Sequence, residues 1–267
     1  VIRVARVGGR SRVTTALAAS PLRLLLPRNH GTAAWIFTSS YGGGLVGGDA
    51  CAIDLEVAHD AAAFVSTQAS TKVYRSPTGA TAELRATVAT GGMLVLAPDP
   101  VVPFAASRYR QTQHIDLEAG AGLVLIDWVT SGRRAAGERW AFDAYDATTQ
   151  VRLEGTPIVH EALRLRLEDG DLRARAGRFD VLAFVLVAGA PLRNRAAGVV
   201  SCVASDPLRR KSGRLAAAAV VAPRGLGEVG CVVRVAGASV EAVGGYIRRL
   251  LAFVPDLLGD DPWERKW

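Results

Sequence analysis

The sequence predicts a mainly β protein, layered or β-helix-like, with a small α-helical part at its C-terminal end. Three observations carry that expectation. Apolar and polar residues alternate with period two over the first two thirds. Turn signals recur at short intervals. In the last third the spacing changes toward that of helices.

The elements follow in order. Cys51, Ile53, Leu55 and Val57 alternate with Ala52, Asp54 and Glu56, as do Leu84, Ala86 and Val88 with Glu83, Arg85 and Thr87. Each stretch reads as a half-buried strand, because successive side chains of a strand face opposite ways. Leu163, Leu165 and Leu167 alternate with Arg164, Arg166 and Glu168. The Asp169-Gly170 pair then predicts a hairpin returning through Leu172, Ala174 and Ala176. Val181–Val187 is a continuous valine-rich run, short enough for a strand buried on both faces. Asp206–Ala219, with Pro207 in its first turn, is expected to be a helix, and Val229–Val235 a strand. Ser239 is the N-cap candidate of a helix reaching Phe253, with Val240, Val243, Ile247, Leu250 and Leu251 on one side and Pro255 marking its end. No motif recurs at a fixed period, so a regular repeat array is not expected.

Composition bounds the class. With 49% hydrophobic and 21% charged residues, the 267-residue chain can bury a sizeable core and is not a disordered tail. No linker interrupts it, so residues 1–267 are read as a single domain. Val1–Val13 lacks the apolar run of a secretory signal. Val181–Ala190, the longest strongly apolar stretch, falls short of the ~18 residues of a membrane span. Cys51, Cys202 and Cys231 are odd in number and far apart. Buried free thiols in a reducing cytoplasm are the expectation.

The net charge of +7 gathers at Arg3, Arg6, Arg10 and Arg12; at Arg193, Arg195, Arg209, Arg210, Lys211 and Arg214; and at Arg248 and Arg249. Such surfaces attract acidic partners. A basic β-rich nucleic-acid-binding protein is therefore an alternative function. It lacks a reader motif and aromatics among the basic residues, so no nucleic-acid partner is expected.

Three segments stand out. Tyr41–Asp49 is a glycine run in which Gly42, Gly44 and Gly47 satisfy G-x-G-x-x-G. A dinucleotide site needs a helix after that turn, whereas Asp49–Val57 is strand-like, and a phosphate loop would need Lys-Ser/Thr after the last glycine. The glycines Gly42, Gly43, Gly44, Gly47 and Gly48 instead predict a structural loop that needs positive φ or close backbone approach. Asp49, ending the loop, is expected to cap local amides or to face a polar cavity. The second segment is Ser70–Ser76, with Lys72 and Arg75, and the third is Gly132–Glu138, with Arg133. The histidines, His30, His59, His114 and His160, are isolated and have no metal-ligand spacing. No nucleophile elbow, zinc-protease motif or calcium loop is present, which agrees with a non-catalytic role.

Taken in order, these segments resemble the UreD (UreH) family of urease accessory proteins. Gly42–Asp49 matches that family's glycine block and Thr71–Ser76 its Thr-Lys-x-Tyr-Arg-Ser block. Leu94–Asp99 with Pro103-Phe104, and Gly132–Glu138, match two further blocks. Ser20–Arg23 is similar to the opening Pro-Leu segment, and Glu161 with Leu163 and Leu165 to the strand after the Gly-Glu block. Ser40-Tyr41 stands where many bacterial members have His-Pro, so any nickel role of that histidine is missing here. The resemblance implies a non-catalytic, cytoplasmic scaffold that binds apo-urease and recruits the accessory protein UreF and, through it, the GTPase UreG. It implies transient handling of nickel, with no tightly bound cofactor, along a polar internal passage. Asp49, Ser70, Thr71, Asp127, Glu138 and Glu161 are the residues expected to line or brace that passage. Lys72, Arg75 and Arg133 are expected as their charge partners.

Overall fold

The computed structural model describes residues 1–207 and 212–264. In chain order the strands begin with β1 (Ile2–Val7), β2 (Arg10–Ala16), β3 (Leu22–Leu25), β4 (Ala34–Ser40), β5 (Ala50–Val57) and β6 (Ala62–Thr67). They continue with β7 (Thr71–Val73), β8 (Ala80–Val88), β9 (Met93–Leu96), β10 (Val101–Pro103), β11 (Arg108–Leu117) and β12 (Gly122–Thr130). The last are β13 (Ala144–Leu153), β14 (Thr156–Arg166), β15 (Val181–Ala188), β16 (Arg214–Val221) and β17 (Gly230–Gly237). The helices are α1 (Leu172–Ala176), α2 (Arg193–Ala204), α3 (Val240–Leu250) and α4 (Val254–Leu258).

Among the described residues the strands form two facing sheets of seven and ten strands. The chain coils between them. Strands β4, β6, β9 and β12 lie parallel in the larger sheet, and β5, β8, β11 and β13 lie parallel in the smaller. The molecule is thus mainly β and β-solenoid-like. Its rungs begin at Ala34, Ala62, Met93 and Gly122, about 30 residues apart, the spacing of a solenoid with no motif repeated. Antiparallel strands close the stack: β14 on β13, and β15, β17 and β16 beyond β12.

Coiling places equivalent apolar residues side by side. In the larger sheet Ile36, Val65, Leu96, Leu125, Leu186 and Val232 form one ladder. Leu55, Ala86, Ile115, Val151 and Val159 form its counterpart in the smaller sheet. Both ladders belong to one apolar cluster between the sheets, each large side chain contributing about 1.5–3 kcal/mol by leaving water. The outer face of the larger sheet carries Trp35, Phe64, Val95 and Val124. Helices α2 to α4 cover that face through Ala196, Val199, Tyr246, Ile247 and Leu258.

Val181–Ala188 and Gly230–Gly237 are strands and Val240–Leu250 is a helix, as the patterns predict. The Ser239 side chain accepts the Ala242 N–H at 3.2 Å, the expected N-cap. Pro255 also opens the short α4. Three expectations are corrected. Asp169-Gly170 does not turn a hairpin: Asp171 caps Arg173 and the helix formers Leu172–Ala176 make one helical turn instead. The hairpin lies one strand earlier, at Glu154 (φ 50°) and Gly155 (φ 76°), the two positive φ values of a tight two-residue turn. The helix expected over 206–219 fails in its second half, where Arg214–Val221 is a strand along β17. Pairing with that buried neighbour overrides the helical preference of its alanines, and residues 208–211, with Arg209, Arg210 and Lys211, lie outside the described residues. Finally, all three cysteines are free but only Cys231 is buried; Cys202 is exposed and Cys51 half-buried.

Candidate functional site

The glycine run leaves β4 and returns as β5. Gly42, Gly43 and Gly48 take φ of 78°, 73° and 89°. Gly44 and Gly47 are needed for space. A Cβ on Gly44 would lie 2.8 Å from the Lys72 carbonyl oxygen, and one on Gly47 would strike the Ser76 hydroxyl and lie 2.6 Å from Thr78 Oγ1. The loop can therefore press against the second segment. The Leu45 N–H donates to the Lys72 carbonyl at 2.8 Å, and the Tyr74 N–H to the Leu45 carbonyl at 2.9 Å.

The other segments join the same knot. The Phe104 N–H donates to the Val73 carbonyl at 2.9 Å, and the Tyr74 and Phe104 rings meet edge-on at 5.0 Å. Arg133 lies over Phe104, 4.0 Å from its centroid, and chelates Glu138 through both carboxylate oxygens. Glu138 also accepts the Ala105 N–H at 3.1 Å, and its carboxyl is held below the usual range chiefly by Arg133. Segments spread over about a hundred residues of sequence thus meet along the side of the solenoid where successive rungs cross from the larger sheet to the smaller.

Two residues along from the apolar ladders, the space between the sheets changes character. In the smaller sheet Gln113, Thr149 and Glu161 sit in one cross-strand row. In the larger sheet Asp127, Phe184, Arg234 and Ala217 form the row that faces it. Gln113 Nε2 donates to Asp127 at 3.2 Å, and Arg234 donates to Glu161 through Nε at 3.0 Å and through a second guanidinium nitrogen. This polar seam separates the main inter-sheet cluster from a second one around Val129, Trp140, Phe142 and Tyr145.

Two cavities open along the seam. The inner one, about 190 Å³, is lined among others by Ser66, Thr67, Ser70, Thr71, Gln113 and Asp127. The outer one, about 270 Å³, is lined among others by Asp127, Thr149, Glu161, Phe184, Leu215 and Arg234. Asp127 and Trp128 belong to both, so the Asp127 carboxylate stands at the waist.

Burial raises the Asp127 carboxyl to about 6, against the pull of hydrogen bonds from Gln111 (2.9 Å) and Gln113. The charge on Glu161 adds to the upward push. Tyr109 and Tyr145 are pushed upward by burial and by Asp127, which keeps both phenols neutral. The Cys51 thiol, on the inner cavity, is raised by burial and then by Asp49, which keeps it protonated.

Of the residues singled out in the sequence, Ser70, Thr71, Asp127 and Glu161 meet along these cavities. Asp49 and Glu138 do not. Asp49 accepts the Val46 N–H at 2.8 Å and closes its own loop, and Glu138 braces the knot. The expected charge partners also differ. Arg133 serves Glu138, whereas among the described residues Lys72 and Arg75 are exposed and pair with none of these acids. The partner of Glu161 is Arg234, which sequence reasoning missed. Its signal was an arginine interrupting the apolar run Val232–Val235 at an inward-facing register. Gln113 and Thr149 were missed too, though each occupies an inward position of an alternating strand. Among the described residues no group of three or more His, Cys, Asp and Glu side chains could hold a metal, and no helix is long and apolar enough to cross a membrane.

A β-solenoid-like body with a glycine knot along one side and a polar, cavity-lined seam between its sheets defines the class. The model of the family described as UreD urease accessory protein matches residues 1–267. A Sorangium cellulosum protein named urease accessory protein UreD is 50% identical over 98% of this chain and 82% of its own length. Proteins named urease accessory protein D from Arabidopsis thaliana and Oryza sativa subsp. indica are 33% and 32% identical over 97% and 98% of this chain, and over 97% and 94% of their own lengths. The chain belongs to the UreD family of urease accessory proteins.

Proposed function

We propose that the chain is a non-catalytic scaffold of urease maturation. It binds apo-urease, recruits UreF and through it UreG, and passes nickel along the seam toward the urease active site. The observation that carries the passage is Asp127 at the waist shared by the two cavities. Nickel is cargo here, not a resident cofactor. Carboxylate, amide and hydroxyl oxygens suit it without forming a tight cage, and an ion that must leave needs sites that hold it weakly. Ser70 and Thr71 on the inner side, Asp127 at the waist and Glu161 on the outer side supply such a sequence of sites.

The test is co-expression with apo-urease, UreF and UreG, followed by affinity pull-down and nickel analysis of the urease. Omission of the chain is expected to abolish nickel loading. Asp127→Ala and Glu161→Ala are each expected to lower it while leaving co-purification intact. Full nickel content with both variants would rule out the passage, and loading that does not need the chain would rule out the scaffold.

A further inference from the structure

The outer cavity contains a cation of the protein's own. Arg234, on β17, projects from the larger sheet and holds Glu161, on β14, by two hydrogen bonds. The two face each other because their strands lie in opposite sheets at the same level of the seam, next to the Gln113–Asp127 contact. Asp127 is half-buried, and the Glu161 side chain is 20% exposed against 58% for Arg234. The guanidinium is therefore the outermost charged group of the cavity, at the rim where Leu215 and Ala217 are exposed. The Phe184 ring, 5.9 Å away, supports it from below.

We propose that Arg234 is a tethered counter-cation that occupies Glu161, so that the outer cavity releases a divalent cation rather than storing it. This rests on the passage reading and concerns which residue sets retention within it. Both oxygens of Glu161 are engaged by a planar, always-charged fork. A divalent cation arriving from Asp127 meets a neutralised carboxylate and a positive charge beside it. Without the arginine, Glu161 and Asp127 would present two carboxylates to one cavity, an arrangement that retains hard divalent ions through oxygen ligands. The arginine turns a pair of acids capable of storage into a passage with one weak station.

The experiment is calorimetric titration of the full-length chain with Ni²⁺. Arg234→Met, which keeps the apolar stem over Phe184, is expected to bind Ni²⁺ at least tenfold more tightly than wild type. Arg234→Lys, which keeps the charge, is expected to bind like wild type, and adding Glu161→Gln to Arg234→Met is expected to remove the gain. Arg234→Gln is a second neutral variant, so a folding defect of the Met variant does not decide the matter. Unchanged affinity in the folded neutral variant, or a gain that survives Glu161→Gln, would overturn the assignment. Failure of the passage itself would show elsewhere, as urease nickel content that Asp127→Ala and Glu161→Ala leave unchanged.

Discussion

Asp127→Asn is expected to make the protein more stable and less able to do its work. The carboxyl lies between the sheets on a half-buried residue, and among the described residues neither Lys nor Arg pairs with it. Folding raises its pKa from 3.8 to about 6, and a difference of that size corresponds to about 3 kcal/mol of destabilisation when the group is charged. The adjoining cavities and the two glutamine amides soften the effect of mutation, so the gain expected from Asn at about pH 7 is about 1–3 kcal/mol. Asn keeps the shape and an oxygen to accept from Gln111 and Gln113. The sign with pH is fixed. The folded state holds the Asp127 proton more tightly than the unfolded state, so this group destabilises fully above about pH 6. Its penalty fades as pH falls toward the unfolded value. Urea unfolding of both proteins between about pH 4 and 8 measures the difference, which should be largest at neutral pH and shrink on acidification. Equal stabilities at neutral pH, or a gap that widens in acid, would refute the reasoning.

Glu138→Gln should behave oppositely: its carboxyl is lowered chiefly by Arg133, so wild type is the more stable protein above the carboxylate range and loses that advantage as pH falls through the depressed value, which the same unfolding series reads. Gly47→Ala should lower the urea midpoint by an amount corresponding to about 2 kcal/mol or more, because the added methyl meets Ser76 and Thr78 in a close-packed loop. Leu125→Ala, at a fully buried position of the apolar ladder, should cost about 2–5 kcal/mol in denaturant titration. Ser239→Ala removes the cap of α3 and should cost about 1 kcal/mol, seen as a lower thermal midpoint.

The strands were legible where one face of the pattern is buried. Leu55–Val57, Leu84–Val88 and the valine run at 181–187 all lie in strands, because burial there follows from side-chain alternation alone. The coil was legible only as a tendency, since its rungs conserve length and apolar level and no motif is repeated. Arg214–Val221 and Leu172–Ala176 were misread for a common reason. Alanine, arginine and leucine suit a helix locally, and only the presence or absence of a neighbouring strand decides the outcome. At the site, Ser70, Thr71, Asp127 and Glu161 were legible because they stand in or beside distinctive segments. The partnerships were not. Glu161 and Arg234 are 73 residues apart, on strands of different sheets, and their meeting depends on register across the whole solenoid.

The seam can be weighed against the alternative that it is a polar network serving only to fix the fold. A network of that kind reaches stability by mutual satisfaction and close packing, since a half-satisfied one is worse than an apolar core. Among the described residues the seam closes a charge pair where Arg234 meets Glu161. Asp127, among the described residues, has two neutral amides and no cation; it carries a raised pKa and lies beside cavities of about 190 and 270 Å³. Each rung supplies an apolar residue one level away, at Leu125, Leu186 and Ile115, so an apolar layer at the seam would extend the existing ladder and relieve the strain of a buried charge. A fold that needed only register would be better served by that layer. Retaining a carboxylate held only by amides, among the described residues, where two cavities meet fits a requirement for something charged and transient to occupy the space.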